Sequence, residues 1–175
     1  MKKKVILIAV LVVIIGAPVI IGSFLPKEKI VTEKTFIDKM YFFILADITN
    51  HWEEPMWRHE LDTMLHVPEI DGMDVWKEYY KNGDSVLLMT QVTGQTDYIR
   101  IIVDNDGRYR MRSIMLVDVQ GKTAIRMSEE IYTGNPIKRF ISLFNDTSSD
   151  HLKAYLADLK EKNKPKEIEN KEGNW

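Results

Sequence analysis

The apolar run Val5–Leu25 constrains the chain more than any other stretch. It contains no charged residue and follows Lys2, Lys3 and Lys4. About 20 apolar residues suffice to cross a bilayer, and flanking lysines stay on the cytoplasmic side. A cleaved signal peptide would carry a shorter apolar region ending in an Ala-x-Ala-like site. Ile21-Gly22-Ser23 matches such a site poorly. The run therefore reads as an uncleaved anchor, in which Gly16 and Pro18 are tolerated. The charge rule places the residues after it outside the cytoplasm, making a single-pass protein of the cell membrane.

The chain has 175 residues, which argues for one folded domain beyond the anchor. Residues 1–4 form a cytoplasmic basic segment, 5–25 the transmembrane helix, 26–28 a hinge and 29–162 the domain. Residues 163–175 read as a disordered tail, charged and almost free of apolar side chains. At 45% hydrophobic and 29% charged, the chain can bury a sizeable core. Setting aside Lys2, Lys3 and Lys4 takes the formal net charge from −2 to −5. No basic stripe remains, which excludes nucleic acid as the expected partner. The absence of cysteine excludes disulfides, thiolate metal sites, a cysteine nucleophile and a lipid anchor on cysteine.

Within the domain, Lys29–Ile37 is β-branched and reads as a strand. Asp38 is the expected cap of a helix running to Asn50, apolar around much of its girth. His51–Arg58 holds Trp52 and Trp57 around Pro55 and reads as a turn or short helix. Strands follow at His59–Val67, Val75–Tyr80, Ser85–Thr93, Tyr98–Val103, Arg108–Val119 and Thr123–Tyr132, separated by turn signals such as Asp71-Gly72 and Asp104 to Gly107. In Arg108–Val119, Arg108, Arg110 and Arg112 point one way, and Tyr109, Met111, Ser113, Met115 and Val117 the other. A three-residue turn at Gln120-Gly121-Lys122 would set Met115 opposite Met127, Ser113 opposite Glu129 and Met111 opposite Ile131. Arg112 would then pair with Glu130 on the solvent face. A two-residue turn would mix these faces, which disfavours it.

Asn135–Lys162 reads as one long C-terminal helix, capped by Asn135 with Pro136 at its first position. Ile137, Phe140, Ile141, Phe144, His151, Leu152, Tyr155, Leu156 and Leu159 recur at helical spacing. The stripe thins at Asp146 to Asp150, which fits either a helix closing over a cavity or a break between two helices.

The layout is strand, helix, short helical turn, about six antiparallel strands and a closing helix. It resembles the helix-grip fold of the START-like superfamily, in particular its polyketide cyclase/dehydrase-like (SRPBCC) branch. The residues that carry the resemblance are Leu45-Ala46-Asp47 followed by Trp52 and Trp57, Trp76-Lys77-Glu78 before Gly83, Asp106 to Tyr109, Gly121-Lys122-Thr123, and Tyr155 to Leu159. The resemblance implies an α+β fold. A curved antiparallel sheet of six to seven strands would wrap around the last helix, with a cavity between them for lipids, sterols or other apolar ligands.

The expected ligand-binding residues are Trp76, Met89, Tyr98, Tyr109, Met111, Met115, Met127, Glu129, Phe144, Ser148 and His151. Methionine adapts to irregular ligands, and aromatic residues offer an apolar body with a polar tip. Ordinary core packing is the plainer reading of the same methionines. Glu129 is the speculative catalytic group, since a buried carboxylate has a raised pKa. A structural pairing with His151 is its alternative. His51, His59 and His66 lie near several carboxylates but lack a ligand-like spacing, so no metal is expected, and no cofactor. Trp52 and Trp57 either touch the bilayer interface or pack under the sheet. Asn145-Asp146-Thr147 is a glycosylation acceptor in form only.

Three functions remain open at this point. The first is membrane-tethered binding of a hydrophobic or amphipathic small molecule, such as a lipid. The second is a cyclase/dehydrase-type enzyme. The third is a ligand-free envelope module that recognises another protein. The binding role is preferred to the enzymatic one.

Overall fold

A computed structural model describes residues 14, 16–92, 94, 96–105, 108–144 and 149–164. Residues 16–24 are helical, and no helix among the described residues is long and apolar enough to cross a membrane. Residues 5–13 and 15 of the expected span lie outside the described residues. So do Ser148 and the tail from 165 onward.

The fold is α+β. Seven strands form one antiparallel sheet: β1 (Glu28–Ile37), β2 (Leu61–Ile70), β3 (Met73–Tyr80), β4 (Ser85–Val92), β5 (Asp97–Asp104), β6 (Tyr109–Val119) and β7 (Lys122–Tyr132). Their order is β1-β7-β6-β5-β4-β3-β2. Every neighbouring pair from β2 to β7 is a hairpin, and the long connection joins β1 to β2 through α1 (Tyr41–Thr49) and α2 (Glu54–Trp57). This connection lets β1 close against β7 at the other edge of the meander. α1 starts two residues later than the sequence suggests, with Met40 and not Asp38 at the cap position. Asp38 does not cap it; its carboxylate lies 3.5 Å from Lys122, and Met40 at the cap position makes no side-chain hydrogen bond.

The expected single C-terminal helix is two helices, α3 (Pro136–Ser142) and α4 (Asp150–Lys162). Asn135 caps α3 as its position suggests, its Oδ1 accepting from the backbone N–H of Ile137 at 2.9 Å and of Lys138 at 3.4 Å. α3 ends at Ser142 and α4 begins at Asp150, and residues 145–148 between them lie outside the described residues. At the far end, Asn163 is buried rather than part of a loose tail. Its amide donates to Leu159 O at 2.9 Å and its Oδ1 accepts from Lys39 at 2.7 Å, tying the end of α4 to the start of α1.

α4 lies on the inner face of the sheet. Leu152, Tyr155, Leu156 and Leu159 pack with Ile44 and Ile48 of α1, Trp57, and Ile37, Ile114, Leu116, Ile125 and Met127 of the strands. A second apolar cluster, Leu61, Met64, Trp76, Val86, Leu88 and Ile102, lies across the β2–β5 half.

The β6–β7 hairpin overturns the expected faces. Its turn has two residues, Gln120 and Gly121, with φ of 56° and 81°, and Val119 pairs with Lys122. Positive φ at both centres is the hairpin geometry whose twist matches the flanking strands, and glycine takes it without strain. The register moves by one residue from the expected one. Ile114 pairs with Met127, and Arg112 with Glu129. A one-residue slip exchanges faces, so Arg110, Arg112, Ile114 and Leu116 point inward, while Tyr109, Met111, Met115 and Val117 are exposed on the outer face. The arginines were expected in solvent on account of their charge. They are inside because carboxylates are waiting there.

Candidate functional site

Arg110 and Arg112 reach the inner face through the alternation of β6 and meet Glu129, the paired residue of β7. Arg112 Nε donates to Glu129 Oε2 at 2.8 Å, and Arg110 Nη1 to Oε1 at 3.1 Å. Arg110 also holds Asp104 of β5 at 2.6 Å. Burial alone would raise the Glu129 pKa, but the two guanidinia outweigh it and hold the carboxyl below its ordinary value. The raised pKa expected for a buried general acid is therefore corrected.

A deeper network lies behind this cluster. Glu54 is fully buried at the start of α2 and takes a hydrogen bond from Arg58 at 2.9 Å, besides contacts from Arg100. Arg100 also donates to the carbonyl of Ile48. Arg58 continues to Glu78 of β3 at 2.6 Å and to Glu60 at 3.2 Å, and the Tyr80 hydroxyl donates to Glu78. His51 Nδ1 lies 2.9 Å from Glu54, while its other nitrogen is 3.1 Å from the Tyr98 hydroxyl and 3.2 Å from that of Thr90. Desolvation opposes the charge on Glu54 and Glu78, yet the neighbouring arginines hold both carboxyls below their ordinary range. Guanidinium suits this setting because its fork of donors can serve several carboxylate oxygens at once. The ring of Tyr155, reaching down from α4, has Arg58, Arg112 and Arg100 at 5.3, 5.5 and 5.8 Å from its centroid. A ring face attracts cations, so Tyr155 joins the helix to the ionic row.

Above the row, a cavity of about 890 Å³ opens where the β3–β4 and β5–β6 turns face α3 and the first turn of α4. Arg108, Arg110, Arg112, Glu129, Glu60 and His151 line its polar part; Leu25, Pro26, Ile131, Ile141 and Leu143 line its apolar part. Seven lysines and arginines face five carboxylates around it, a net of +2 before His151 is counted. His151 Nδ1 lies 3.5 Å from Glu60, whose hydrogen bond and charge raise the imidazole pKa. Burial opposes the charge on Glu60, but the hydrogen bond to His151 and the charge of Arg58 lower its carboxyl to about 2. The surface can hold an anion or a polar headgroup beside an apolar chain. Among the described residues no group of three or more His, Asp or Glu side chains could hold a metal ion.

The candidates drawn from sequence divide into four sets. Glu129 and His151 line the cavity. Trp76, Tyr98 and Met127 are buried on the inner face, where Trp76 donates to Asp74 at 2.7 Å. Met89, Tyr109, Met111 and Met115 lie on the outer face: Val75 pairs with Met89, Met89 with Ile101 and Ile101 with Met111. Tyr109 stacks there on Tyr132. Phe144 is exposed beyond α3, against Phe140, and Ser148 is outside the described residues. Trp57 packs under the sheet on Tyr155, and Trp52 stands exposed with its edge on Trp76.

Sequence reasoning passed over Glu54, Arg58, Glu78 and Arg100, along with the inward turn of Arg110 and Arg112. One signal was available. Glu129 placed inward needs a cationic partner, and only the two-residue turn supplies one from β6.

No family model matches the chain, and no curated protein matches it. Solved structures do. The Zhui aromatase/cyclase of a Streptomyces species is 6% identical with a TM-score of 0.64, over 77% of this chain and 93% of that one. A START superfamily protein of Mycobacterium smegmatis is 8% identical with a TM-score of 0.63, over 77% and 96%. Norcoclaurine synthase of Thalictrum flavum is 11% identical with a TM-score of 0.61, over 77% and 92%. These likenesses agree on the α+β helix-grip architecture and leave the chemistry to this chain's own residues.

Proposed function

We propose that this protein, tethered by Val5–Leu25, holds an amphipathic small molecule in the cavity, its polar head on the arginines and its chain along the apolar rim. The observation that carries this reading is the cavity of about 890 Å³ joining Arg108, Arg110 and Arg112 to Leu25, Ile131, Ile141 and Leu143. Pockets of roughly 300–1,000 Å³ suit small ligands. The arginines give that wall a net positive charge, so a ligand with a polar or anionic head fits it better than a purely apolar one. The enzymatic alternative draws less support, because Glu129 is held ionised between two arginines. The neighbours' names as cyclase or synthase carry no reaction to this chain.

The test uses the full chain in mild detergent with a fluorescent long-chain fatty acid and its neutral methyl ester. The acid should bind, the ester at least about tenfold more weakly. Arg110→Met should remove most of that preference, since Arg112 still holds Glu129. Equal affinity for acid and ester, or no binding of either, overturns the assignment. Retention of the chain in carbonate-washed membranes tests the tether, and its release would remove it.

A further inference from the structure

α3 is built inside out. Its arginine, Arg139, is 7% exposed, whereas Ile141 is 54% and Phe144, just beyond the helix, 77% exposed. Ile137 and Leu143 are exposed beside them. A surface helix in water turns its apolar stripe to the core. An amphipathic helix lying in a membrane interface turns it to lipid.

The second observation is what Arg139 reaches for. Its Nη1 donates to Leu25 O at 2.9 Å, the last residue of the apolar run. Three residues earlier, Gly22 packs so closely on the start of α3 that a Cβ there would collide with the carbonyl of Pro136. Glycine therefore permits the contact. With about 1.5 Å of rise per helical residue, α3 begins within roughly 5 Å of the end of the run. Within that run Phe24 is 86% exposed, and Ile20 and Ile21 are exposed as well.

We infer that Ile137, Ile141, Leu143 and Phe144 dock on the lipid bilayer, so that the cavity opens at the membrane surface. This deepens the proposed function and rests on its tether. The occupant is a bilayer because the patch is fixed to the end of the apolar run. Lysines bound the site in the manner that suits anionic headgroups, Lys27 and Lys138 lying on the cavity wall beside the patch. Leu25, Pro26, Ile141, Ser142 and Leu143 form that wall as well. An amphiphile leaving the bilayer would thus meet the arginines head first, with its chain sheltered by α3 throughout.

The chain has no cysteine, so single labels are clean. The full-length protein is reconstituted in vesicles of phosphatidylcholine and phosphatidylglycerol, carrying an environment-sensitive fluorophore at Ile141→Cys or Phe144→Cys. Val119→Cys, at the opposite end of the β6–β7 hairpin, is the control. Emission from positions 141 and 144 should shift to shorter wavelength and be quenched by lipids with shallow nitroxide groups, while position 119 stays aqueous. Aqueous emission at all three positions overturns the docking. A shift without lipid quenching assigns the patch to a second copy of the chain and overturns it equally. Ile137→Asp with Phe144→Asp, neither of which lines the cavity, should slow ligand transfer from vesicles about tenfold, with affinity in detergent unchanged. Lipid quenching without fatty-acid binding sinks the cavity reading alone. Binding without quenching sinks the docking alone. A chain that does not float with vesicles sinks both.

Discussion

The inner face of the sheet has two ends of opposite character on the same strands. Going along β6, Ile114 and Leu116 face α4 in the dry cluster, while Arg112 and Arg110 face the cavity. Along β7, Ile125 and Met127 stand at the dry end and Glu129 at the other. The strands do not change direction or alternation between the ends; only the side chains do. At the dry end stability comes from apolar area, which depends little on the exact partner. At the ionic end each charge is tolerable only while its partner is present, because removing one leaves the other buried and uncompensated.

The sharpest break in this comparison is Glu54→Ala. It strips Arg58 and Arg100 of a shared partner at a site with no solvent access. The expected loss is about 4–5 kcal/mol by urea unfolding, near the top of the range for broken buried pairs. The double variant Glu54→Leu with Arg100→Met should be more stable than Glu54→Ala, since both charges leave together. A double variant worse than the single would show that the row stabilises through net attraction and not merely through mutual need.

At the dry end, Leu156→Ala should cost about 3 kcal/mol, the usual sum of lost transfer energy and residual cavity. The m-value should stay that of the parent, since the unfolded chain exposes nearly the same surface. Ligand binding should survive, as Leu156 belongs to the cluster with Ile44 and Ile48 and not to the cavity wall.

The two ends also differ in their response to acid. Glu60 falls from 4.5 to about 2 on folding, and Glu54, Glu78 and Glu129 are lowered as well. A carboxyl depressed by folding contributes stability that is fully present above its unfolded value and lost as pH falls through its folded one. Melting temperature should therefore hold near neutrality and drop as pH falls from about 4.5 toward 2. Glu60→Gln should flatten part of that drop. His151 has the opposite sign: raised by Glu60, it stabilises below its unfolded pKa and loses this as pH rises through the raised value. Its NMR titration should lie above that of a free imidazole and move down in Glu60→Gln; an unmoved midpoint would separate the two groups in solution.

The strand positions, the shared inward side of Met127 and Glu129 on β7 and the cap at Asn135 were legible because each rests on local rules: alternation, turn residues and an acceptor beside orphan N–H groups. The split of the last helix was legible only as one of two options, since Asp146 to Asp150 suits a break and a polar lid equally. The site was read less well, and for one reason. Arg110 and Arg112 carry charge, and charge is a good guide to solvent until a buried carboxylate stands opposite. Met111 and Met115 looked like cavity wall because they alternate with those arginines. The choice between faces depended on a turn of two residues or three, and Gln120 at φ 56° is not a position the residue type announces. Glu54 and Arg58 were hidden differently. They belong to a short helix, and their partners Arg100 and Glu78 come from strands 46 and 20 residues away.

The smallest expected effect concerns α3, which belongs to neither end. Asn135→Ala removes the acceptor for Ile137 and Lys138, a loss of about 1 kcal/mol for an N-cap. A helix whose apolar side chains face outward couples weakly to the core, so the loss should stay local. Hydrogen exchange of the α3 amides should quicken severalfold while the melting temperature barely moves. Restoring an acceptor with Asn135→Asp should return the protection. If the cap variant instead lowered the melting temperature as far as Leu156→Ala does, α3 would be part of the cooperative unit. Its exposed isoleucines would then need an explanation other than a surface left free to meet lipid.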